Sequence, residues 1–175
     1  LYTMFFKEDA VLAEDYLDAA AQFIKRYEAL LGPFPYRHYA IVANRQPTGY
    51  GMPTYTLLGQ QVLRLPFIKS TSLGHEILHS WFGNSISIAP DSGNWSEGLT
   101  TYLADMAYRE DAGEGSAARK RAIESYLDND HGSMIALQDF TSVGHAHSGN
   151  RGARAVGYGR SAMLFHEIRM RIGDE

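Results

Sequence analysis

The chain has 175 residues, 45% hydrophobic and 21% charged, enough for one domain with its own core. Its net charge of −4 gives no basic footprint, which argues against nucleic acid and acidic membrane surfaces as partners. The absence of cysteine excludes disulfides, thiol catalysis and thiolate metal ligands. No apolar run approaches the roughly 18 residues that a membrane span needs. No signal peptide is evident. The first residue is Leu and the last three, Gly173-Asp174-Glu175, follow directly on a helical pattern. The sequence therefore reads as a piece excised from a longer protein.

In chain order, Leu1–Phe6 has the aromatic and β-favouring content of a strand. Between Val11 and Leu31 the residues Leu12, Tyr16, Ala20, Phe23, Tyr27 and Leu30 recur at spacings of three and four, which predicts an amphipathic helix stopped by Gly32-Pro33. His38–Asn44 reads as a buried strand. Thr54–Pro66 reads as a strand pair broken near Gly59, in the manner of a hairpin. A helix begins near Thr71 or Ser72, either of which suits its N-cap, and ends around Gly83-Asn84. Ser87–Asn94 is loop-like. Further helices are expected over Ser96–Arg109, capped by Ser96, over Ala117–Leu127, ending at Asn129-Asp130, and over Val156–Ile172. The Gly- and His-rich stretch Thr141–Gly157 reads as a long loop. No repeat or linker marks a second domain. Strands come first and helices follow, which predicts a single α+β domain over residues 1–175, with a small β-sheet lobe and a helical lobe.

The helix near residue 72 carries His75-Glu76-Ile77-Leu78-His79. Positions i and i+4 share a helix face, so His75 and His79 can both reach one ion. Glu76 is turned by about 100° from His75. It is poorly placed to share that ion with both histidines and well placed to reach a water beside it, which is the mechanical sense of H-E-x-x-H. The bland alternative is a helix with two surface histidines and a salt-bridging glutamate. Against it, Ile77, Leu78, Trp81 and Phe82 give the helix an apolar circumference, and buried imidazoles and a carboxylate need partners. A catalytic zinc of the His, His, Glu type also needs a third ligand. Glu97, opening the next helix, is one candidate, and a carboxylate favoured by the helix N-terminus is its other reading.

The runs "HEILHSWFGN", "NWSEGLTTYLAD" and "GYGRSAMLFHEIRMRIGDE" resemble the catalytic domain of the aminopeptidase N-like gluzincin metallopeptidases. "YTMFFKEDA", the first helix and "LLGPFPYRHYAIVAN" extend the resemblance over nearly the whole chain. It implies a thermolysin-like domain, one Zn2+ per chain, a peptide substrate, and flanking domains in the full-length protein. His75 and His79 match the zinc histidines, Glu76 the general base, Glu97 the third ligand, and Tyr158 the tyrosine that stabilises the tetrahedral intermediate. Arg160 stands where the family has Lys, and so keeps the cation.

Two departures stand out. Seventeen residues separate His79 from Glu97, one fewer than is usual in the family, a difference that the Ser87–Asn94 loop can absorb. The family's G-x-M-E-N strand carries a glutamate for the substrate's α-amino group. Here the stretch is "GYGMPTYTLLG", in which Met52 remains and Pro53 and Thr54 replace the acid and the amide. No Asp or Glu occurs from Ala29 through His75. An ammonium group buried without a counter-charge is costly, so either another acid such as Asp91, or one outside this chain, fills the role, or a free N-terminus is not required. The "GYGMPTY" variant resembles a bacterial subgroup of the family, which leaves cytoplasm and periplasm equally open.

The implied chemistry is peptide-bond hydrolysis by metal-activated water. Glu76 moves the proton, Tyr158 supports the developing oxyanion, and Gly51, Met52 and Pro53 belong to a Gly51–Tyr55 strand that binds extended peptide. From its position alone, Tyr158 reads sooner as a core aromatic at a helix start, and the resemblance is what reverses that reading. His145 and His147 read as loop histidines. His166-Glu167 begins a second H-E-x-x-H that Met170 breaks, and reads as helix surface. Asp105 is a candidate to orient a zinc histidine. Trp81, Phe82 and Trp95 read as core. The expected function is a zinc metallopeptidase of aminopeptidase type. The alternatives are an endopeptidase or other amide hydrolase that needs no free N-terminus, and a non-catalytic peptide-binding domain.

Overall fold

Strands β1 (Tyr2–Met4), β2 (Ala40–Asn44), β3 (Gly49–Met52) and β4 (Tyr55–Gly59) form one sheet in the order β1-β2-β4-β3. The computed structural model describes residues 1–129, 135–142 and 151–173. Two compact units divide the chain, Leu1–Ser87 and Ile88–Glu175. All four strands belong to the first, and the described residues of the second are helical or irregular. No helix among the described residues is long and apolar enough to cross a membrane.

In the first unit β1 runs parallel to β2, and parallel neighbours need a crossover. A 3-10 turn at Lys7–Leu12 and helix α1 (Ala13–Leu31) supply it. Tyr16, Ala20 and Tyr27, on the expected apolar stripe, are buried, whereas Leu30 at the stripe's end is exposed. Gly32, with φ +89, ends the helix. After β2 the chain lays β3 at the far edge and returns through a two-residue turn, Pro53-Thr54, so that β4 fills the gap parallel to β2 and antiparallel to β3. A proline has no N–H to waste in such a turn.

The hairpin therefore lies five residues earlier than Thr54–Pro66 predicts. Its second expected strand is instead the short helix α2 (Gln60–Leu63), with Leu63 buried and its carbonyl taken by the Tyr16 hydroxyl. A brief apolar run fits strand or helix equally, and tertiary packing decides. Asp9, buried under α2, accepts hydrogen bonds from Arg64 Nε and Gln60 Nε2, each at 2.7 Å. Arg64 holds its carboxyl below the usual range.

Helix α3 (Ser72–Leu78) packs on α1 and on the sheet. Leu73, Ile77 and Leu78 are fully buried. Gly74 leaves room for the Phe23 ring, and its carbonyl accepts the Tyr27 hydroxyl. The helix ends about five residues sooner than its apolar pattern suggests. Ser80 and Trp81 turn back onto the carbonyls of Ile77 and Leu78, and Gly83, with φ +100, reverses the chain. Thr71 stands at the N-cap without capping, since its hydroxyl donates to Phe67 O.

In the second unit a helical run begins with α4 (Trp95–Thr100), widens into a π-helix at Thr101–Met106, and closes as α5 (Ala107–Asp111). Its N-cap is Asn94, not Ser96, whose hydroxyl donates back to Asn94 Oδ1. Helix α6 (Gly115–Asp128) matches expectation within two residues. The last run starts at Arg151, inside the stretch expected to be loop, and passes through a π-helix at Ala155–Arg160 into Ser161–Ile172. Gly157 in it serves close packing, because a side chain there would collide with the Phe140 ring.

Candidate metal and catalytic site

Each unit is self-contained in what it contributes. In the first, His75 lies in the last turn of α3 and His79 is its C-cap residue, with helical φ/ψ and its N–H bonded to His75 O at 3.3 Å. The i,i+4 relation is thus kept although the helix stops. The two imidazoles are buried, with ring centroids 5.0 Å apart and planes crossing at 76°. His79 Nδ1–H donates to Phe82 O at 3.1 Å. That bond fixes the tautomer and leaves Nε2 as the lone-pair nitrogen, the form a metal ligand requires.

Glu76 projects toward the edge strand. A β-carbon built on Gly51 would sit 2.7 Å from the Glu76 carbonyl oxygen, 2.9 Å from His79 Cβ and 3.1 Å from Glu76 Oε2, and one on Gly49 would sit 3.6 Å from Glu76 Oε1. Side chains alternate across a strand, so the two glycines share the face toward α3, while Tyr50 and Met52 take the other and are exposed. Behind this strand the hydroxyls of Tyr39 and Thr56 are hydrogen-bonded to each other and buried. Burial pushes the Tyr39 phenol above its ordinary range, and the Glu76 charge acts in the same direction.

The proposed substrate residues therefore take different places. Gly51 lies against Glu76 and His79, Met52 is on the opposite face of β3, and Pro53 is in the exposed turn. Trp81 is core, edge-on to Tyr27 and Phe34, while Phe82 is half-buried.

In the second unit Glu97 is buried in the first turn of α4. The turn before it is pinned by Asn94, whose N–H donates to Phe140 O at 2.7 Å and whose amide donates to Ser142. Gly98, next to Glu97, has no room for a side chain beside Ser161, so α4 and the last helical run cross at that point. Tyr158 lies three residues before Ser161, within the π-helix. Its ring stands edge-on to Phe140 at 5.8 Å, and the Arg154 guanidinium lies 4.6 Å over it.

Arg160 is exposed and donates to Tyr126 OH at 3.1 Å. Asp105 is half-buried in the other π-helix, Trp95 is half-buried, and Asp91 is an exposed loop residue. His145 and His147 lie outside the described residues. The donor set offered by His75, His79 and Glu97, two imidazoles and one carboxylate, is one that could hold a metal ion, and it is the set of catalytic zinc sites.

No protein-family model matches the chain. Among curated proteins it is 29% identical over 136 residues to the aminopeptidase RNPEPL1 of mouse and of human, covering 71% of this chain and 18% of each relative. Among solved structures, it is similar to an M1 zinc metallopeptidase mutant from Deinococcus radiodurans bound to a Tyr-Ser-Ala substrate. The identity is 22% and the TM-score 0.59, over 88% of this chain and 33% of that one. Native LTA4 hydrolase from yeast gives 18% identity and a TM-score of 0.63, over 94% of this chain and 28% of that one. The structural likenesses establish the fold, a small sheet with helices as in those peptidases. The chain spans under a fifth of the curated relatives and about a third or less of these solved ones.

Sequence reasoning passed over two contributors beside α3. Gly49 and Asn84 carry no reactive group. Gly49 gives a signal only through its spacing of two from Gly51. Asn84 ends the "HEILHSWFGN" run, and its amide Nδ2 donates to Gly51 O at 3.2 Å.

Proposed function

We propose that the chain is a catalytic domain of the aminopeptidase N-like zinc metallopeptidases, thermolysin-like over residues 1–175 and part of a longer multidomain protein. The "GYGMPTY" stretch favours the bacterial subgroup. His75, His79 and Glu97 hold one zinc ion, Glu76 is the general base and Tyr158 the oxyanion donor. The observation that carries the reading is Glu76, next to His75 on α3, one turn from the hydrogen-bonded His79 at the helix end, and facing the glycine face of an edge strand. The names of the curated relatives and of the structural neighbours support the same reading.

Zinc, when bound, supplies Lewis acidity and lowers the pKa of water to about 7. The rest falls to the protein. A peptide laid along β3 exchanges backbone hydrogen bonds with its open edge, in the manner of strand addition. Glu76 takes a proton from the attacking water on a carboxylate oxygen and delivers it to the leaving amine nitrogen. The Tyr158 hydroxyl donates to the carbonyl oxygen as it gains charge. The half-burial of Glu76 under β3 limits competing water around that carboxylate.

A second reading, an endopeptidase that needs no free N-terminus, is favoured by the acid-free stretch from Ala29 through His75, which includes all of β2, β3 and β4. One experiment tests both. Zinc content and hydrolysis are measured on matched free and N-acetylated peptides, with and without a chelator. About one zinc per chain and chelator-sensitive cleavage of the free peptide alone support the aminopeptidase. Equal rates on the two peptides select the endopeptidase. Chelator-insensitive cleavage, or none by zinc-loaded protein, defeats the metallopeptidase reading.

A further inference from the structure

The α3 turn and the β3 edge are separate pieces of backbone, and the Asn84 side chain fastens one to the other. Asn84 has two attachments. Its backbone N–H donates to His79 O at 3.3 Å, and its side-chain Nδ2 donates to Gly51 O at 3.2 Å. Gly83 permits the approach, with φ +100. Ile86 tightens the loop, since its carbonyl accepts the Gly83 N–H at 2.9 Å and its N–H donates to Trp81 O at 2.9 Å.

The direction of the Gly51 carbonyl follows from the ladder. Gly59 N–H bonds Thr48 O at 2.7 Å, and the register pairs Gly49 with Leu58 and Gly51 with Thr56. Hydrogen-bonded and non-bonded pairs alternate along an antiparallel ladder. Tyr50 and Met52 therefore bond to β4, and the peptide groups of Gly49 and Gly51 point out to the open edge. Those are the groups available to an incoming strand, and Asn84 holds the one nearest His79.

We propose that Asn84 is a positioning residue, which fixes the substrate-binding edge of β3 at a set height over the α3 turn that carries Glu76 and His79. The inference rests on the peptidase reading and adds a residue to it. Contact with substrate is not required of Asn84. Its amide holds Gly51 O, Gly51 has no side chain to keep β3 off the helix, and its backbone bond to His79 O ties the loop to the end of α3. Loss of the amide lets the strand lift from the helix. A peptide gripped along β3 then presents its scissile carbonyl out of reach of Glu76, and a displacement of about 1 Å can cost about 100-fold. A substrate too short to lie along β3 does not depend on that height.

The test compares an aminoacyl anilide with a hexapeptide, using zinc-loaded full chain, in wild type, Asn84→Leu and Asn84→Asp. The second variant keeps the shape and loses the donor, and it stands in should the first fail to fold. For the hexapeptide, kcat/KM is expected to fall at least about tenfold, mainly through kcat, with a change under about twofold for the anilide. Zinc content is expected to stay unchanged. An equal loss on both substrates, no loss on either, or loss of zinc overturns the proposal while leaving the peptidase reading intact. Wild-type protein silent on both substrates removes the peptidase reading, and the inference with it.

Discussion

The chain contains two His-Glu pairs on helices, His75-Glu76 and His166-Glu167, and they have different surroundings. The first lies on a seven-residue helix with Leu73, Ile77 and Leu78 fully buried. Its imidazoles are 5.0 Å apart, and its glutamate lies under a strand stripped of side chains at Gly49 and Gly51. The second lies on a longer helix whose later residues are exposed. There the polar groups serve one another. His166 Nδ1 is hydrogen-bonded to Tyr102 OH at 3.2 Å, and Glu167 pairs with Arg171 at 2.9 Å. An exposed i,i+4 pair of that kind contributes only about 0.3–0.5 kcal/mol. The contrast teaches that a histidine and a glutamate side by side become a candidate site through what faces them.

The largest expected difference is catalytic. Glu76→Gln should lower kcat by roughly 10²–10⁴-fold with zinc retained, whereas Glu167→Gln should leave hydrolysis unchanged. Steady-state rates and metal content, measured on both variants, decide it, and persistent activity in Glu76→Gln would sink the assigned base. Next comes Tyr158→Phe, which should cost about 10²–10³-fold in kcat with little change in KM if its hydroxyl meets the oxyanion. A core role alone would show as a lower Tm at full activity.

Gly51→Ala tests the facing strand. A methyl group placed 2.7 Å from the Glu76 carbonyl should destabilise by about 1–3 kcal/mol, as overpacking does. Gly159→Ala is its control on the last helical run. Neighbours there begin at 3.5 Å, and the change should stabilise by up to about 1 kcal/mol. Denaturant midpoints read both. The smallest effect is expected from Met170→His, which completes the second motif by spelling. It should add a weak zinc site by calorimetry and no hydrolysis. New activity from it would show that the spacing alone is enough.

Legibility in the sequence followed the range of the forces involved. The α1 stripe, β2 and the His75/His79 pair are local patterns, and each is present where its periodicity puts it. The C-terminal end of α3 lies earlier than its apolar pattern suggests because the chain turns locally and reverses at Gly83, whereas the start of the last run depends on contacts remote in sequence. One such contact is Gly157 against Phe140. Strand β3 was poorly legible for a related reason. Gly-Tyr-Gly-Met has weak strand propensity, and its glycines make sense only once α3 is beneath them. Capping failed at Thr71 and Ser96 since each hydroxyl found another oxygen, Phe67 O and Asn94 Oδ1 respectively.

The π-helices at Thr101–Met106 and Ala155–Arg160 have a bearing on how this chain is aligned with others. A single-turn π-bulge amounts to one extra residue accommodated inside an α-helix. Beyond it every side chain is rotated out of phase with those before it, so a helical wheel drawn through Trp95–Asp111 assigns the wrong faces to its second half. Gap-free alignment with a relative that lacks the bulge will slip by one position inside the helix, where insertions are seldom sought. Deleting one residue from Thr101–Met106 would restore an even wheel and leave Ala107–Asp111 against the partners that those residues now meet.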